Sequence, residues 1–356
     1  FVSFRYARNL VDGHGLVFNA GEYVEGYTNF AWTVLMALGM TLGIEPEQLS
    51  MALGLVSYTL LILLLLYASR RMSADSGLVI SGLPLAAFAW AHHEHARSFA
   101  TSGLETMTFV LLVTACIVGS IERWKPEWVG VIGVMATLMR PDGALIYGLC
   151  ALAFFVDENR RVAARQFIRA VSPGLLVFTC YGAWKLHYYG AILPNTFHAK
   201  SAHLQWWSQG LLYVGVYLRT YWPLGFGWLG LLVLWWKFTA EQSLGHWGRR
   251  RAVLLLGTAS TLWFAYVARV GGDFMFSRFC LPVTPALLLA LELTSHRLWE
   301  GRSRPVLTVV VTGGFLMAPW PDWKKTSGFG FGEEAFLYPR EVLEEARHQG
   351  LVLRKA

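Results

Sequence analysis

Glu25 stands in VEGYT directly before a glycine, and Asp273 stands in VGGDFMFSRF behind two glycines, with Arg278 five residues on. Glycines let a backbone turn tightly and approach a ligand closely. A carboxylate placed there can take a proton or a hydroxyl hydrogen bond, and a guanidinium beside it can hold an anion. Further polar residues recur in short clusters: Arg5, Tyr6 and Asn9 in RYARNL, Tyr27 in EGYT, Glu105 in TSGLE, Arg140 in RPDG, Asn195 in LPNT, and Lys200 in FHAK. Each also has a plainer reading. Glu22 reads as a solvated loop carboxylate, and Glu25 reads either that way or as a site residue. Arg140 before a proline can be a snorkelling turn residue. Asn195 can close the turn after Pro194, and Arg5, Lys200 and Arg278 can meet lipid headgroups. HHEH (His92 to His95) has ligands enough for a metal, but the order matches no zinc spacing and reads better as an interfacial polar loop.

The elements that must position these residues are membrane spans. The chain of 356 residues is 55% hydrophobic and 15% charged, against about 25% charged in soluble domains. Its charges fall between long apolar runs, the pattern of an all-α polytopic membrane protein. The net charge of +7 accompanies no basic stripe or nucleic-acid motif, so no nucleic-acid partner is expected. Cys116, Cys150, Cys180 and Cys280 lie in or beside apolar runs without paired spacing and suggest no metal. About ten spans are expected: 51–69, 76–91, 104–120, 128–139, 143–156, 170–186, 223–238, 252–270, 280–294 and 305–320. Arg and Lys concentrate in alternate connections, at 70–71, 123–125, 160–169, 237–251 and 297–304, which the positive-inside rule puts in the cytoplasm. The clusters with site character then share the opposite, outer face. RPDG lies between two short apolar arms flanked by basic loops, so the arms form a hairpin whose turn reaches that face. By the same parity 28–44 is a juxtamembrane or re-entrant helix, a true crossing being the alternative.

FVSFRYARNLVDGHGLVFNAGEYVEGYTNFAW, TSGLET, RPDG, YYGAILPNTFHAK and GGDFMFSRFCLPVTPAL together resemble the integral-membrane GT-C glycosyltransferases. The likeness is greatest to the mycobacterial terminal β-(1→2)-arabinofuranosyltransferase branch, some relatives of which are described as flagellar motor control proteins. The motifs run from Phe1 to Leu287 in the family's order. The resemblance implies a GT-C-type bundle over 1–320 with outer-face juxtamembrane helices, and the start of an extracytoplasmic region over 321–356. It also implies that a first helix and a catalytic Asp-Asp pair precede Phe1 in the parent protein. The implied reaction is inverting transfer of a sugar, arabinofuranose by the closest branch, from a polyprenyl-phosphate donor to a cell-envelope glycan or glycolipid at the outer face of the bacterial inner membrane. The catalytic candidates in this chain are Asp273 and Glu25, which would orient hydroxyls. Arg5, Lys200 and Arg278 would hold the leaving phosphate, Tyr6 and Tyr27 would stack on sugar, and Asn9, Glu105, Arg140 and Asn195 complete the substrate-binding set.

No cofactor is expected, and a divalent metal is left open. Two other classes fit the same residues: a non-enzymatic membrane partner that kept the fold, and a transporter. A transporter would tend to place its charges at the bilayer midplane, on broken helices in two related halves, and no such halves are visible.

Overall fold

The computed structural model describes residues 2–75, 84–156, 158–199, 205–237, 250–298, 310–311 and 313–315. Among them every regular element is helical: α1 (Val2–Val11), α2 (Phe30–Thr41), α3 (Pro46–Asp75), α4 (Leu85–Ala91), α5 (Glu94–Ala100), α6 (Thr106–Ile121), α7 (Pro126–Met139), α8 (Gly143–Leu152), α9 (Arg160–Tyr189), α10 (Asn195–Ala199), α11 (Trp207–Thr220), α12 (Pro223–Lys237), α13 (Arg250–Val270) and α14 (Thr284–Leu298). Lys200, the basic residue Arg249, most of the expected span 305–320 and the region 321–356 lie outside the described residues.

Three described helices are long and apolar enough to cross a membrane: Pro46–Ser73, Arg160–Tyr189 and Arg250–Val270. Leu175 and Leu176 on α9 are 69% and 68% exposed, and Leu55, Leu60 and Leu63 on α3 are also exposed, as lipid-facing residues would be. Five further apolar helices have 10 to 17 residues, so the described structure does not reach ten full spans. α6 and the start of α14 are buried along most of their length and pack against other helices.

The long helices define two ends of the bundle. At one end Arg71 pairs with Glu122 at 2.9 Å, and Arg123 pairs with Glu158. Buried Arg251 donates to the carbonyls of Val156 at 2.9 Å and Ser120 at 3.4 Å. The sequence suggested that Arg160 to Arg169 is a loop. Instead the segment forms the first turns of α9, because the Asn159 side chain caps it, accepting from the Arg161 N–H at 3.0 Å. Pro173 inside α9 frees the Arg169 carbonyl, and the Ser172 hydroxyl bonds to that carbonyl at 3.2 Å.

The polar clusters collect at the opposite end. α7 and α8 form the expected hairpin. The 14 residues of α7 span about 21 Å, less than a bilayer core of about 30 Å. α2 has both ends in this half of the bundle. Its cap residue Asn29 bonds to Glu105, and Gly39 packs on Leu49 near the start of α3. α2 therefore does not cross.

α11 was not expected, and it also stays at this end. Its start is tied to the end of α13 (Trp206 N–H to the Arg269 carbonyl, 2.9 Å), and its middle to the 271–279 loop (Tyr213 hydroxyl to the Met275 carbonyl, 2.9 Å). Its last turn meets His95 through Tyr221 at 2.6 Å. α12 then runs alongside α14, with Gly227 against Leu287 and Gly230 against Thr294.

Candidate functional site

The Gly-rich segment between α1 and α2 is a clamped loop. Asn9 donates to the carbonyls of Val17 and Phe18, both at 2.9 Å. Arg5 donates to the Phe18 carbonyl at 2.8 Å and to Asn19 Oδ1 at 2.7 Å, with its guanidinium 4.1 Å from the Phe18 ring centre. The Tyr6 hydroxyl donates to the Val24 carbonyl at 2.6 Å and accepts from the Gly26 N–H at 2.8 Å. A Cβ at Gly26 would stand 2.8 Å from that hydroxyl, so the backbone passes where a side chain would crowd it.

The end of α9 closes the other side of the loop. The Leu16 N–H donates to the Tyr188 hydroxyl at 2.8 Å, and the Tyr189 hydroxyl donates to the Leu16 carbonyl at 2.7 Å. The Asn195 N–H donates to the Glu25 carbonyl at 2.9 Å. Glu25 itself is 5% exposed, with Oε2 2.6 Å from Lys185 Nζ and Oε1 accepting from the Tyr181 hydroxyl at 3.4 Å. Burial pushes the Glu25 carboxyl above the ordinary carboxylate range, and Lys185 and Tyr181 only partly offset this.

Four residues along the chain the arrangement changes. Asn29 Nδ2 donates to Glu105 Oε2 at 3.1 Å, while Glu105 Oε1 accepts from Arg278 Nη2 at 3.0 Å. Arg278 Nη1 reaches Asp273 Oδ2 at 3.3 Å. Arg140 forks onto Asp142 at 3.1 and 2.6 Å, with its guanidinium between the rings of Phe109 (5.1 Å) and Phe279 (4.7 Å). Burial alone would raise the Glu105 carboxyl, but the charges of Arg278 and Arg140, with hydrogen bonds from the backbone and Asn29, together hold the group below the ordinary carboxylate range. Arg140 Nη1 and Arg278 Nε are buried N–H donors with no hydrogen-bond partner among the described residues. Unmet donors of this kind are costly and uncommon in a native structure.

The loop carrying Asp273 is held in a strained conformation. Gly271, Gly272 and the non-glycine Ser277 have φ of 88°, 79° and 72°. A Cβ at Gly272 would lie 2.5 Å from the Tyr213 ring. Strained backbone of this kind clusters at ligand sites.

The histidines are used otherwise. His93 is buried, caps α5 through the Ala96 N–H, and bonds to the Tyr217 hydroxyl at 3.0 Å. His95 bonds to the Tyr221 hydroxyl, and burial lowers its pKa to about 4. Among the described residues, no group of three or more His, Cys, Asp or Glu side chains gathers where a metal could be held.

Comparison with known proteins adds two relatives. The chain is 31% identical to the terminal beta-(1->2)-arabinofuranosyltransferase of Mycobacterium tuberculosis, over 93% of this chain and 58% of that protein. It is 28% identical to the protein of the same name from Corynebacterium glutamicum, over 81% of this chain and 46% of that one. The chain is thus related over most of its length to proteins named arabinofuranosyltransferases, and it spans about half the length of the curated relatives it matches. No family model and no solved structure matches it.

The sequence-derived candidates divide between the two regions. Glu105, Arg140, Asp273 and Arg278 come together in one cluster. Arg5, Tyr6, Asn9, Glu25 and Tyr27 belong to the clamp, and Asn195 joins it through its backbone. Tyr6 and Tyr27 correct the expectation of sugar-stacking faces. They are 1% and 3% exposed and pack edge-on against each other, because their rings are the core of the loop. Arg5 is exposed, and its Nε and Nη2 bond to the loop rather than to another candidate residue. Sequence reasoning missed Asn29, Asp142 as the partner of Arg140, and Lys185. Lys185 carried a signal: a lysine inside an apolar span is expensive and needs a partner.

Proposed function

We propose that this chain is the membrane-embedded part of a glycosyltransferase. It would move a sugar, arabinofuranose by analogy with the named relatives, from a polyprenyl-phosphate donor to a cell-envelope glycan or glycolipid at the extracytoplasmic face. One observation carries the reading. Asn29, Glu105, Arg140 and Arg278, from four separate stretches of sequence, converge at one end of the bundle, and both arginines keep a buried N–H unspent.

In the proposed reaction the acceptor hydroxyl oxygen bonds to the anomeric carbon as that carbon's bond to the phosphate oxygen breaks. The hydroxyl proton passes to a carboxylate, and the electron pair leaves with the lipid phosphate. Charge grows on that phosphate in the transition state, where fixed guanidinium donors are most effective. Arg140 and Arg278 supply them. Glu105 and Asn29 keep Arg278 oriented. Asp273, held to Arg278 at the edge of the cluster, orients the acceptor hydroxyl.

The test is direct: purified full-length protein, a polyprenyl-phosphate arabinofuranose donor and an oligosaccharide acceptor, with product read by mass spectrometry. Transfer that disappears in Asp273→Asn supports the reading. Absence of both transfer and donor hydrolysis in well-folded wild-type protein overturns it.

A further inference from the structure

Two apolar grooves of similar size open on the sides of the bundle near the cluster. One, about 380 Å³, runs between Phe30, Leu138, Leu176, Cys180 and Trp184. The other, about 410 Å³, lies where the α7–α8 turn, α13 and the start of α11 meet, and is lined by Asp142, Leu145, Trp207, Leu262, Ala265 and Arg269. Their volumes do not distinguish them, but their charges do.

Beside the first groove the nearby cation is Lys185, and it is consumed by Glu25 at 2.6 Å. At the second, Arg269 is exposed, and among the described residues its side chain has no ion-pair or hydrogen-bond partner. The inner wall of that groove is Asp142, bonded to Arg140 at 2.6 Å, and Arg140 keeps Nη1 buried and unpartnered. Tyr266, also on this wall, lies within electrostatic reach of Asp142, Arg140 and Arg269 alike. The apolar groove thus has an unpaired cation at its edge, and its Asp142 wall is bonded to a second, buried one. The half-exposed Trp207 at the rim is the residue type that settles where chain and headgroup meet. A groove of this volume is near the lower limit for a lipid-sized ligand and suits one chain rather than two.

We infer that the groove beside Asp142 seats the single apolar chain of an isoprenoid phosphate, with Arg269 meeting the phosphate at the mouth on its way to Arg140. The inference rests on the glycosyltransferase reading for the identity of the lipid, and on charge and position for the choice of groove.

Binding can be measured without any transfer reaction, using full-length protein in nanodiscs of neutral lipid. Farnesyl phosphate is the probe, farnesol the uncharged control and phosphatidylglycerol the competitor. Ala265→Phe fills the second groove from an exposed position and is expected to weaken farnesyl phosphate by at least about tenfold. Arg269→Gln changes an exposed side chain with no partner, so it should fold normally. It is expected to weaken farnesyl phosphate about tenfold and leave farnesol unchanged. Cys180→Trp fills the first groove and should leave both affinities as they are. The reverse pattern, with Cys180→Trp weakening binding and Ala265→Phe not, overturns the assignment. Displacement of the probe by equal amounts of phosphatidylglycerol also overturns it, because the site is then a general headgroup contact. If the expected binding pattern holds but no sugar is transferred, only the functional reading falls. If transfer proceeds and neither Ala265→Phe nor Arg269→Gln alters binding, only this inference falls.

Discussion

Glu25 and Glu105 are both buried carboxylates that face a cation, and the residues bonded to them, Lys185 and Asn29 among others, lie at one end of the bundle. They nevertheless sit in opposite surroundings. Glu25 meets one cation, with Tyr181 beside it and the hydroxyls of Tyr6 and Tyr189 closing the loop around it. Glu105 shares Arg278 with Asp273 and feels Arg140, and two guanidinium N–H groups there have no partner. The first arrangement is closed and one-to-one, which suits holding a loop in place. The second is branched and incompletely satisfied, which suits a ligand that completes it. A buried charged pair is thus no mark of chemistry by itself. What separates the two is that Glu25 faces a single cation, while beside Glu105 two guanidinium N–H groups lack a hydrogen-bond partner among the described residues.

The largest expected effect breaks the closed pair. Lys185→Ala leaves Glu25 buried without its cation and should destabilise the protein by about 3–5 kcal/mol. Replacing both partners, Lys185→Met with Glu25→Leu, should restore most of that stability, because apolar residues of similar volume can substitute for a buried ion pair. Thermal unfolding in detergent reads both. If the double variant is as unstable as the single, the pair does more than hold the loop.

Next comes the open cluster. Arg140→Gln and Arg278→Gln should each lower transfer by about 10²–10³. An arginine that also grips the ground-state phosphate, as Arg278 is expected to, shows most of its loss as weaker donor binding. Neither should be rescued by an apolar replacement of Asp142 or Asp273. Full activity in Arg140→Gln would make this cluster structural as well, and the contrast would vanish.

The sequence displayed the cluster better than the clamp, for physical reasons. Asp273, Arg278, Arg140 and Glu105 lie in connections between apolar runs, where polar residues stand out. Alternation of basic loops then puts those connections at one end of the bundle. The hairpin turn at Arg140 followed from counting crossings, and α2 followed from the same parity. Lys185 was hidden because it lies within an apolar run. Tyr6 and Tyr27 misled because an aromatic ring that packs a loop and one that stacks on a sugar have the same sequence signature. α11 escaped because its apolar stretch, Leu211–Leu218, is only eight residues long before Arg219, too short to mark a span.

A smaller effect separates the two carboxylates by sign. Burial raises Glu25, so the folded protein holds its proton more readily than the unfolded chain does. Its stabilising contribution is full below the ordinary carboxylate pKa and is lost as pH rises through the raised folded value. Glu105 is lowered by Arg278 and Arg140 against its burial. Its contribution is present above the ordinary value and is lost as pH falls through the depressed folded one. Melting temperature measured against pH should therefore lose part of its acid-side fall in Glu105→Gln. In Glu25→Gln it should instead lose part of its decline above the ordinary carboxylate range, although that variant is less stable throughout because Lys185 is left unpaired. Identical pH profiles for the two variants would contradict the opposite surroundings.

The smallest effect is expected three residues from Glu25. Glu22 lies on the exposed part of the same loop, and its Oε2 accepts from the Asn19 side chain at 3.0 Å. Glu22→Gln keeps an acceptor oxygen for that bond and removes a charge that water already screens. Stability should stay within about 0.5 kcal/mol of wild type, the range of ordinary surface substitutions. Transfer and donor binding should also be unchanged, since no residue of the open cluster touches Glu22. The measurement has most value beside Glu25→Gln, because the two replacements are chemically identical and differ only in burial and partner. A clear loss of transfer in Glu22→Gln would carry the site out onto the loop surface, and the boundary between clamp and cluster would have to be redrawn through Asn19 and Arg5.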